Sequence, residues 1–241
     1  MTHLRPPQRC RLAVACALII GLAAAPAHAG GTNDWFGGVV DRGELWIVPQ
    51  AQWTLKPRLQ QLYTLQLQTG FGHGWDAIVA VATALEGGQN EVWPTYIMPR
   101  WAPFEGFSIS PGFIIPATAD ADGLALYPGV YHSVTDASER WIFTWNAALT
   151  VPLTAPGDTS LFAVAVGERV LNTWLRVFVE LDVDTPFTDI GSAASLTALT
   201  GVQFELSDTT ELNLALGLPL RPEVDPAGTS LNVWYAHGLN W

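Results

Sequence analysis

The sequence carries little charge, and lysine is nearly absent from it. Only 14% of the 241 residues are charged, whereas a water-soluble domain of this length has about a quarter. Lys56 is the single lysine, and the formal net charge is −11. Phosphate binding needs clustered Lys and Arg, so this composition excludes nucleic acid as a partner.

Cysteine is also scarce, since Cys10 and Cys16 are the only two. Both lie in an N-terminal segment where three arginines precede the apolar run Leu12–Ala25, and small residues follow at Ala27–Ala29. This order is typical of a cleaved secretory signal peptide, which we place at residues 1–29. Its removal leaves no thiol, which excludes disulfides and thiolate metal sites from the mature chain.

Two other interpretations of this segment are disfavoured. A retained membrane helix needs roughly 20 apolar residues, more than the run provides. A lipidated Cys16 would leave almost no hydrophobic segment between Arg11 and the cleavage point. We therefore expect export, with cleavage near Ala29.

Long apolar runs are lacking after this leader, although 49% of the residues are hydrophobic. Apolar residues instead alternate with small or polar ones, most clearly in Glu211–Leu220, where five leucines fall on one face. This period of two indicates strands with two different environments. Lipid offers no partner for unpaired backbone groups, so a membrane chain without long apolar runs must form a closed barrel. The sequence therefore predicts an all-β, antiparallel transmembrane β-barrel.

The alternation recurs along residues 44–241, which we take as one barrel domain after a flexible segment at residues 30–43. It predicts about twelve strands, an even number as in bacterial barrels. They lie near Glu44–Lys56, Leu59–Phe71, Asp76–Leu85, Glu91–Trp101, Gly106–Ile115, Ala125–Val134, Arg140–Val151, Ser160–Gly167, Thr173–Val183, Leu196–Leu206, Glu211–Leu220 and Ser230–Trp241. Prolines inside strands mark edges or bulges, so ten strands remain an alternative. The prolines concerned are Pro49, Pro94, Pro99, Pro111 and Pro128.

Connections between the strands should alternate between long external loops and short periplasmic turns. We expect external loops at residues 119–123, 155–158, 184–195 and 221–228, and a periplasmic turn at Ser207–Thr210. The external loops are acidic but lack calcium-loop spacing, so we expect a solvated face that meets lipopolysaccharide through divalent ions. The acids are Asp120, Asp122, Asp184, Asp189, Glu223 and Asp225.

The last predicted strand places Leu231, Val233, Tyr235, Leu239 and Trp241 on one face. It resembles the C-terminal insertion signal that the outer-membrane assembly machinery recognises, with Tyr235, Leu239 and the terminal Trp241 as its main residues. The usual final residue of that signal is Phe. The alternative is a soluble β protein whose final strand ends on an aromatic residue.

Tryptophans fall near the ends of the predicted strands. An indole has an apolar body and one N–H, which suits the headgroup boundary of a membrane. We therefore expect interfacial girdles formed by Trp46, Trp53, Trp75, Trp93, Trp101, Trp141, Trp174 and Trp241.

One predicted strand carries Arg176 and Glu180 on the same face as Trp174 and Phe178. Charged groups inside a barrel can set the selectivity of a pore. Trp174 and Phe178 would suit contact with an aromatic or apolar solute. Further lumen candidates are Arg169, Glu205, Gln203, Arg140, Asp182 and Asn146. The alternative is a salt-bridge network that fills and stiffens the barrel interior.

An enzyme in this membrane would need a nucleophile beside a histidine, and the chain after the leader offers His73, His132 and His237. His132 and Ser133 are adjacent, so a strand would point them to opposite faces. The sequence contains no nucleophile elbow, paired metal histidines, P-loop or dinucleotide fingerprint. We therefore predict no catalytic residue, no metal and no cofactor.

The stretch Thr200–Gly217, followed by the aromatic last strand, resembles the final hairpins of outer-membrane transporters related to the MetA-pathway phenol-degradation family. This resemblance implies a barrel that passes small hydrophobic or aromatic solutes. Our leading hypothesis is therefore a channel in the bacterial outer membrane, with the bilayer as its partner. The alternatives are a lipid hydrolase or acyl-modifying enzyme, and a structural barrel with a filled lumen.

Overall fold

The computed structural model describes residues 38–55, 59–117, 123–154, 156–224 and 228–240. Several predicted features lie outside these residues: the signal peptide, the acids Asp120, Asp122 and Asp225, and the terminal Trp241. In the described part of the chain, no helix is long and apolar enough to cross a bilayer.

Twelve antiparallel strands form one closed sheet in the described residues. Each strand pairs with its neighbours in sequence, and the first pairs with the last from Glu44 opposite Asn240 to Thr54 opposite Ser230. The strands are β1 Glu44–Thr54, β2 Gln60–Gly72, β3 Trp75–Glu86, β4 Gln89–Val92 with Thr95–Phe104, β5 Phe107–Ser110 with Phe113–Ile115, β6 Ala125–Leu126 with Gly129–Thr135, β7 Trp141–Pro152, β8 Ser160–Asn172, β9 Leu175–Pro186, β10 Ser195–Ser207, β11 Thr210–Pro219 and β12 Ser230–Asn240. The predicted fold class and the strand number of twelve are confirmed.

Prolines explain why β4, β5 and β6 are each interrupted. Pro94, Pro111 and Pro128 lie in the three interruptions, where a residue without an N–H cannot donate to the ladder. Pro99 of β4 falls opposite Pro111 in the register of the β4–β5 pair, and the ladder between Ile97 and Trp101 is interrupted there. The register is unchanged across the interruptions at Pro111 and Pro128 and shifts by one residue only at Pro94, so no strand is lost.

The two ends of the barrel differ in their connections. At one end, here called the turn end, the strands are joined by the short turns 73–74, 105–106, 136–140, 173–174 and 208–209. At the opposite end, the loop end, the connections include 116–124, 153–159, 187–194 and 220–229. The first strand begins and the last strand ends at the turn end, which matches the pattern of short periplasmic turns and long external loops.

The leucines of β11 establish which face of the sheet points outward. Leu214, Leu216 and Leu218 are exposed, whereas the alternating Asn213 and Ala215 are buried in the barrel. The same holds around the wall, where exposed apolar side chains include Leu65, Val81, Ile109, Phe143, Leu181 and Leu231. A continuous apolar outer face is what a bilayer requires.

Stacked aromatic rings circle the outside of the turn end. The ring centroids lie 6.3 Å apart in Trp75 and Trp101 and 6.2 Å apart in Trp141 and Phe143. These tryptophans are 39–46% exposed and suit the headgroup boundary as predicted. Trp46 does not belong to the girdle, because its ring is buried inside the barrel against Gly238, whose missing side chain leaves room for it.

Candidate functional site

A cavity of about 340 Å³ occupies the half of the lumen nearer the loop end. Tyr96, Tyr127 and Phe162 supply aromatic rings to its wall, and Gln50, Gln66 and Asn146 supply carboxamides. The rings of Tyr96 and Tyr127 meet edge to face at 5.3 Å. Asp184 also lines the cavity, because it lies near the loop end of β9 on the same side of the strand as Glu180 and Asp182. It therefore belongs to the lumen, not to an external loop as predicted.

Below the cavity, the β3–β4 side of the lumen is closed by a buried ion pair. Arg100 donates from Nε to Asp76 Oδ1 at 3.0 Å and from Nη2 to Asp76 Oδ2 at 2.6 Å. Both side chains are fully buried. Gln68 also donates to Asp76 at 2.8 Å, and the guanidinium lies over the Tyr131 ring at 5.7 Å. This bidentate geometry fixes both side chains on the β3–β4 side of the lumen.

The chain just before β1 lies against this ion pair. The backbone N–H of Val40 donates to Asp76 Oδ2 at 3.2 Å, and Arg100 Nη2 donates to the carbonyl of Gly38 at 3.0 Å. A Cβ on Gly70 of β2 would lie 2.0 Å from the carbonyl oxygen of Asp41, so only glycine allows this approach. Residues 38–43, expected to be flexible, are instead held by the barrel, while residues 30–37 lie outside the described residues.

A second polar network lines the wall from β8 to β11. Arg176 contacts Glu168 at 3.8 Å and is also paired with Glu205. Gln203 donates a hydrogen bond to Glu211 on the neighbouring strand. Glu168 and Gln203 are fully buried, as is Glu180. These side chains face the lumen because they alternate with the outward residues of their strands.

An aromatic pair completes the packing on this side. Phe178 of β9 and Trp234 of β12 are 2% and 5% exposed, and their rings meet at 5.8 Å. Gly201 makes room for them, since a Cβ at that position would lie 2.4 Å from the Phe178 ring. The turn half of the lumen is therefore much more densely filled than the loop half.

Seven of the predicted lumen residues face the lumen: Asn146, Arg176, Phe178, Glu180, Asp182, Gln203 and Glu205. Arg169 is on the outer face, with its guanidinium 5.5 Å from the Trp141 ring centre. Its alkyl stem can lie on apolar surface beside this girdle residue while the charge reaches the boundary. Arg140 is exposed in the turn 136–140. For these two arginines the lumen prediction was wrong.

Trp174 also lies outside the lumen. It is 52% exposed in the turn before β9 and stacks on Phe204 at 6.3 Å. Phe204 pairs with Leu175 and shares the outward face. The girdle interpretation therefore holds for Trp174, and the lumen interpretation does not.

The histidines do not form a nucleophile site in the described residues. His132 points outward between Phe107 and Trp145, at 5.9 and 5.7 Å. Ser133 points inward, 3.0 Å from the hydroxyl of Thr144, so the predicted opposite faces are confirmed. His237 shares a 2.8 Å hydrogen bond with Thr210, and His73 lies in the β2–β3 turn. In the same residues, no three His, Cys, Asp or Glu side chains are placed to hold one metal ion.

The sequence interpretation missed Asp76, Arg100 and the cavity tyrosines Tyr96 and Tyr127. A usable signal was present for Arg100, because it lies in an apolar predicted strand of a chain that has only 11 basic residues. A charge at such a position must be paired.

Comparison with known proteins identifies the fold. No family model and no curated protein matches the chain. Among solved structures, the COG4313 outer membrane channel from Pseudomonas putida F1 aligns with a TM-score of 0.63 and 9% identity, over 87% of this chain and 100% of that one. The NanC porin gives 0.58 and 10%, over 81% and 99%. The KdgM porin gives 0.56 and 11%, over 80% and 98%.

The chain therefore has the fold of a bacterial outer-membrane β-barrel, and its apolar outer face and aromatic girdle suit that membrane. The narrower resemblance to the phenol-degradation family stays a prediction, since no family model matches.

Proposed function

We propose that this barrel is an outer-membrane channel that takes a small solute into the lumen from the loop end. The observation that carries the proposal is the cavity of about 340 Å³ in the loop half. Its volume lies near the lower end of the range for small-molecule sites, about 300–1,000 Å³. The COG4313 protein is named as an outer membrane channel, and NanC and KdgM are named as porins. These names support a channel function.

The lining of the cavity favours a solute with an aromatic or apolar body and one or two polar groups. Tyr96 and Phe162 can contact a flat ring, while Gln66 and Asn146 can exchange hydrogen bonds with hydroxyl or amino groups. Asp184 is the charged group among the described lining residues. An anionic solute would meet this carboxylate without a cation in the lining to balance it.

Current block in planar bilayers tests this proposal. The refolded barrel should carry an ionic current, and p-cresol should reduce it at concentrations where glucose does not. Tyr96→Ala and Phe162→Ala should raise the blocking concentration about two- to ten-fold, because an aromatic contact contributes about 0.5–1.5 kcal/mol. Leu65→Ala, on the outer face, is the matched control and should leave the block unchanged.

A filled structural barrel is the second candidate, and the turn half of the lumen favours it. Arg100, Glu168 and Gln203 are fully buried there, so the path beyond the cavity is narrow. A correctly folded protein that carries no current would support this candidate and contradict the channel. A current that p-cresol does not block would keep the channel and contradict the solute class.

A further inference from the structure

One arginine of the described residues lies on the lipid-facing wall without a carboxylate to pair with. Arg169 of β8 is exposed on the outer face, and its guanidinium carbon lies 5.5 Å from the centre of the Trp141 ring. In the described residues it forms no ion pair. The other arginines of the described strands, Arg100 and Arg176, are paired inside the lumen. The membrane is therefore the nearest source of a counter-charge for Arg169.

The acidic residues near Arg169 in the described chain do not neutralise it. Glu168 is fully buried on the lumen face of the same strand. Asp136 and Glu139 lie in the β6–β7 turn, and neither forms an ion pair in the described residues. The whole chain is acidic, with a net charge of −11. An anion bound at Arg169 would therefore be held by local contacts, not by a general attraction of the protein for anions.

The outer face of β8 forms a groove that begins at Arg169 and runs toward the loop end. Its floor consists of the small outward residues Gly167 and Ala165, which follow at alternate positions. Its walls are large apolar side chains of β7 and β9 that lie opposite the floor residues and are 40–60% exposed. They are Phe143 and Trp145 on one side and Val179 and Leu181 on the other. Since neighbouring strands are about 5 Å apart, the walls are about 10 Å apart and leave room for one extended hydrocarbon chain.

The two parts of this site match the two parts of an anionic phospholipid. A guanidinium can hold a phosphate through two hydrogen bonds, and it stacks well on an aromatic ring such as that of Trp141. The apolar groove suits an acyl chain. By the pattern of turns and loops, Arg169 lies near the periplasmic end of the wall, and the leaflet on that side of an outer membrane consists of phospholipid. Charge and shape therefore favour a lipid over a free phosphate ion.

We propose that Arg169 and the groove on β8 bind one anionic phospholipid of the leaflet at the turn end. The phosphate lies on the guanidinium beside Trp141, and an acyl chain lies over Gly167 and Ala165. Gly167 follows Arg169 by about 7 Å along the strand, so the chain enters the groove directly below the phosphate. This site goes beyond the proposed channel function and requires only that the barrel is embedded in the membrane.

Lipid titration followed by native mass spectrometry tests this inference. The refolded barrel in detergent should bind phosphatidylglycerol more tightly than phosphatidylcholine with the same acyl chains. Arg169→Gln should weaken phosphatidylglycerol binding about ten-fold or more, the factor expected for one charge-assisted hydrogen bond. Arg169→Lys should recover part of this loss, because it restores the charge without the two-pronged geometry. Arg42→Gln is the matched control, since Arg42 is exposed at the same end but lies before β1, five strands away from β8 in the sheet.

A second variant tests the groove without changing any charge. A Cβ at position 167 would contact the Phe143 ring at 3.8 Å, which is an ordinary distance, so Gly167→Leu should fold and fill the groove. It should weaken the binding of both lipids. Heat-modifiable migration on SDS gels identifies the variants that are folded before they are compared. Equal wild-type affinities for the two lipids, equal losses in Arg169→Gln and Arg42→Gln, or unchanged binding in Gly167→Leu would each overturn the inference.

Discussion

Removal of the Asp76 carboxylate should destabilise the barrel more than loss of any exposed charge. Asp76 accepts hydrogen bonds from Arg100, Gln68 and the backbone of Val40. In Asp76→Ala these donors lose this acceptor, and the fully buried Arg100 guanidinium loses the carboxylate it pairs with. Breaking a buried pair in this way costs about 3 to 5 kcal/mol.

Equilibrium unfolding in urea, followed by tryptophan fluorescence in lipid vesicles, measures this loss. The matched control is Glu223→Ala, which breaks a 3.2 Å ion pair with Arg221 whose glutamate side chain is 66% exposed. Exposed pairs of this kind contribute little to stability, so the control should unfold at the wild-type urea concentration.

A double variant separates the buried charge from the loss of volume. Asp76→Leu combined with Arg100→Met replaces the ion pair by apolar side chains, and such replacements are often neutral. We expect the double variant to recover most of the stability lost by Asp76→Ala. A single-variant loss below about 1 kcal/mol, or a double variant as unstable as the single one, would show that the buried ion pair is not the cause of the loss.

Two further predictions concern the outer face and the turn end. Leu216→Arg should lower the free energy of unfolding by about 2–4 kcal/mol in the same assay, because Leu216 is exposed to lipid in the middle of β11. Leu216→Ala is the matched control for lost volume. Equal losses in the two variants would contradict the lipid-facing assignment. Asp136, in the β6–β7 turn, accepts hydrogen bonds from the Ser138 hydroxyl and the backbone of Trp141 and Arg140, which lower its pKa. Since the folded-state pKa is the lower one, its stabilising effect should be present above the ordinary aspartate pKa and lost as the pH falls through the lowered value. The difference in unfolding midpoint between wild type and Asp136→Asn should therefore shrink toward acid pH, and a difference independent of pH would contradict this cause.

Alternation was sufficient to predict the strands because the two faces of this wall meet such different surroundings. In β11 the leucines face lipid and small or polar residues face the lumen, so period two is unmistakable in Glu211–Leu220. The prolines limited prediction between residues 91 and 130, since the sequence does not say whether Pro94 or Pro111 ends a strand or only interrupts it. Backbone pairing across both interruptions decides the question.

The lumen was harder to predict, because the side chains that meet inside it depend on the register between strands that are far apart in sequence. Trp46 resembles the other tryptophans near strand ends, but Gly238, almost two hundred residues later, leaves the space that its ring occupies. The Asp76–Arg100 pair likewise depends on the β3–β4 register, which places the two residues opposite each other. The position of a residue along its own strand does not show which residues of other strands it will contact.

Pairing of β1 with β12 also has a consequence for biogenesis. The partner of the first strand is the last strand of the barrel to be synthesised, since Glu44–Thr54 pairs with Ser230–Asn240. At every earlier stage of synthesis and export, two unsatisfied sheet edges would invite aggregation with other chains. Closure of the barrel therefore has to wait until β12 has been synthesised and exported, and the earlier strands must be kept from pairing with other chains until then.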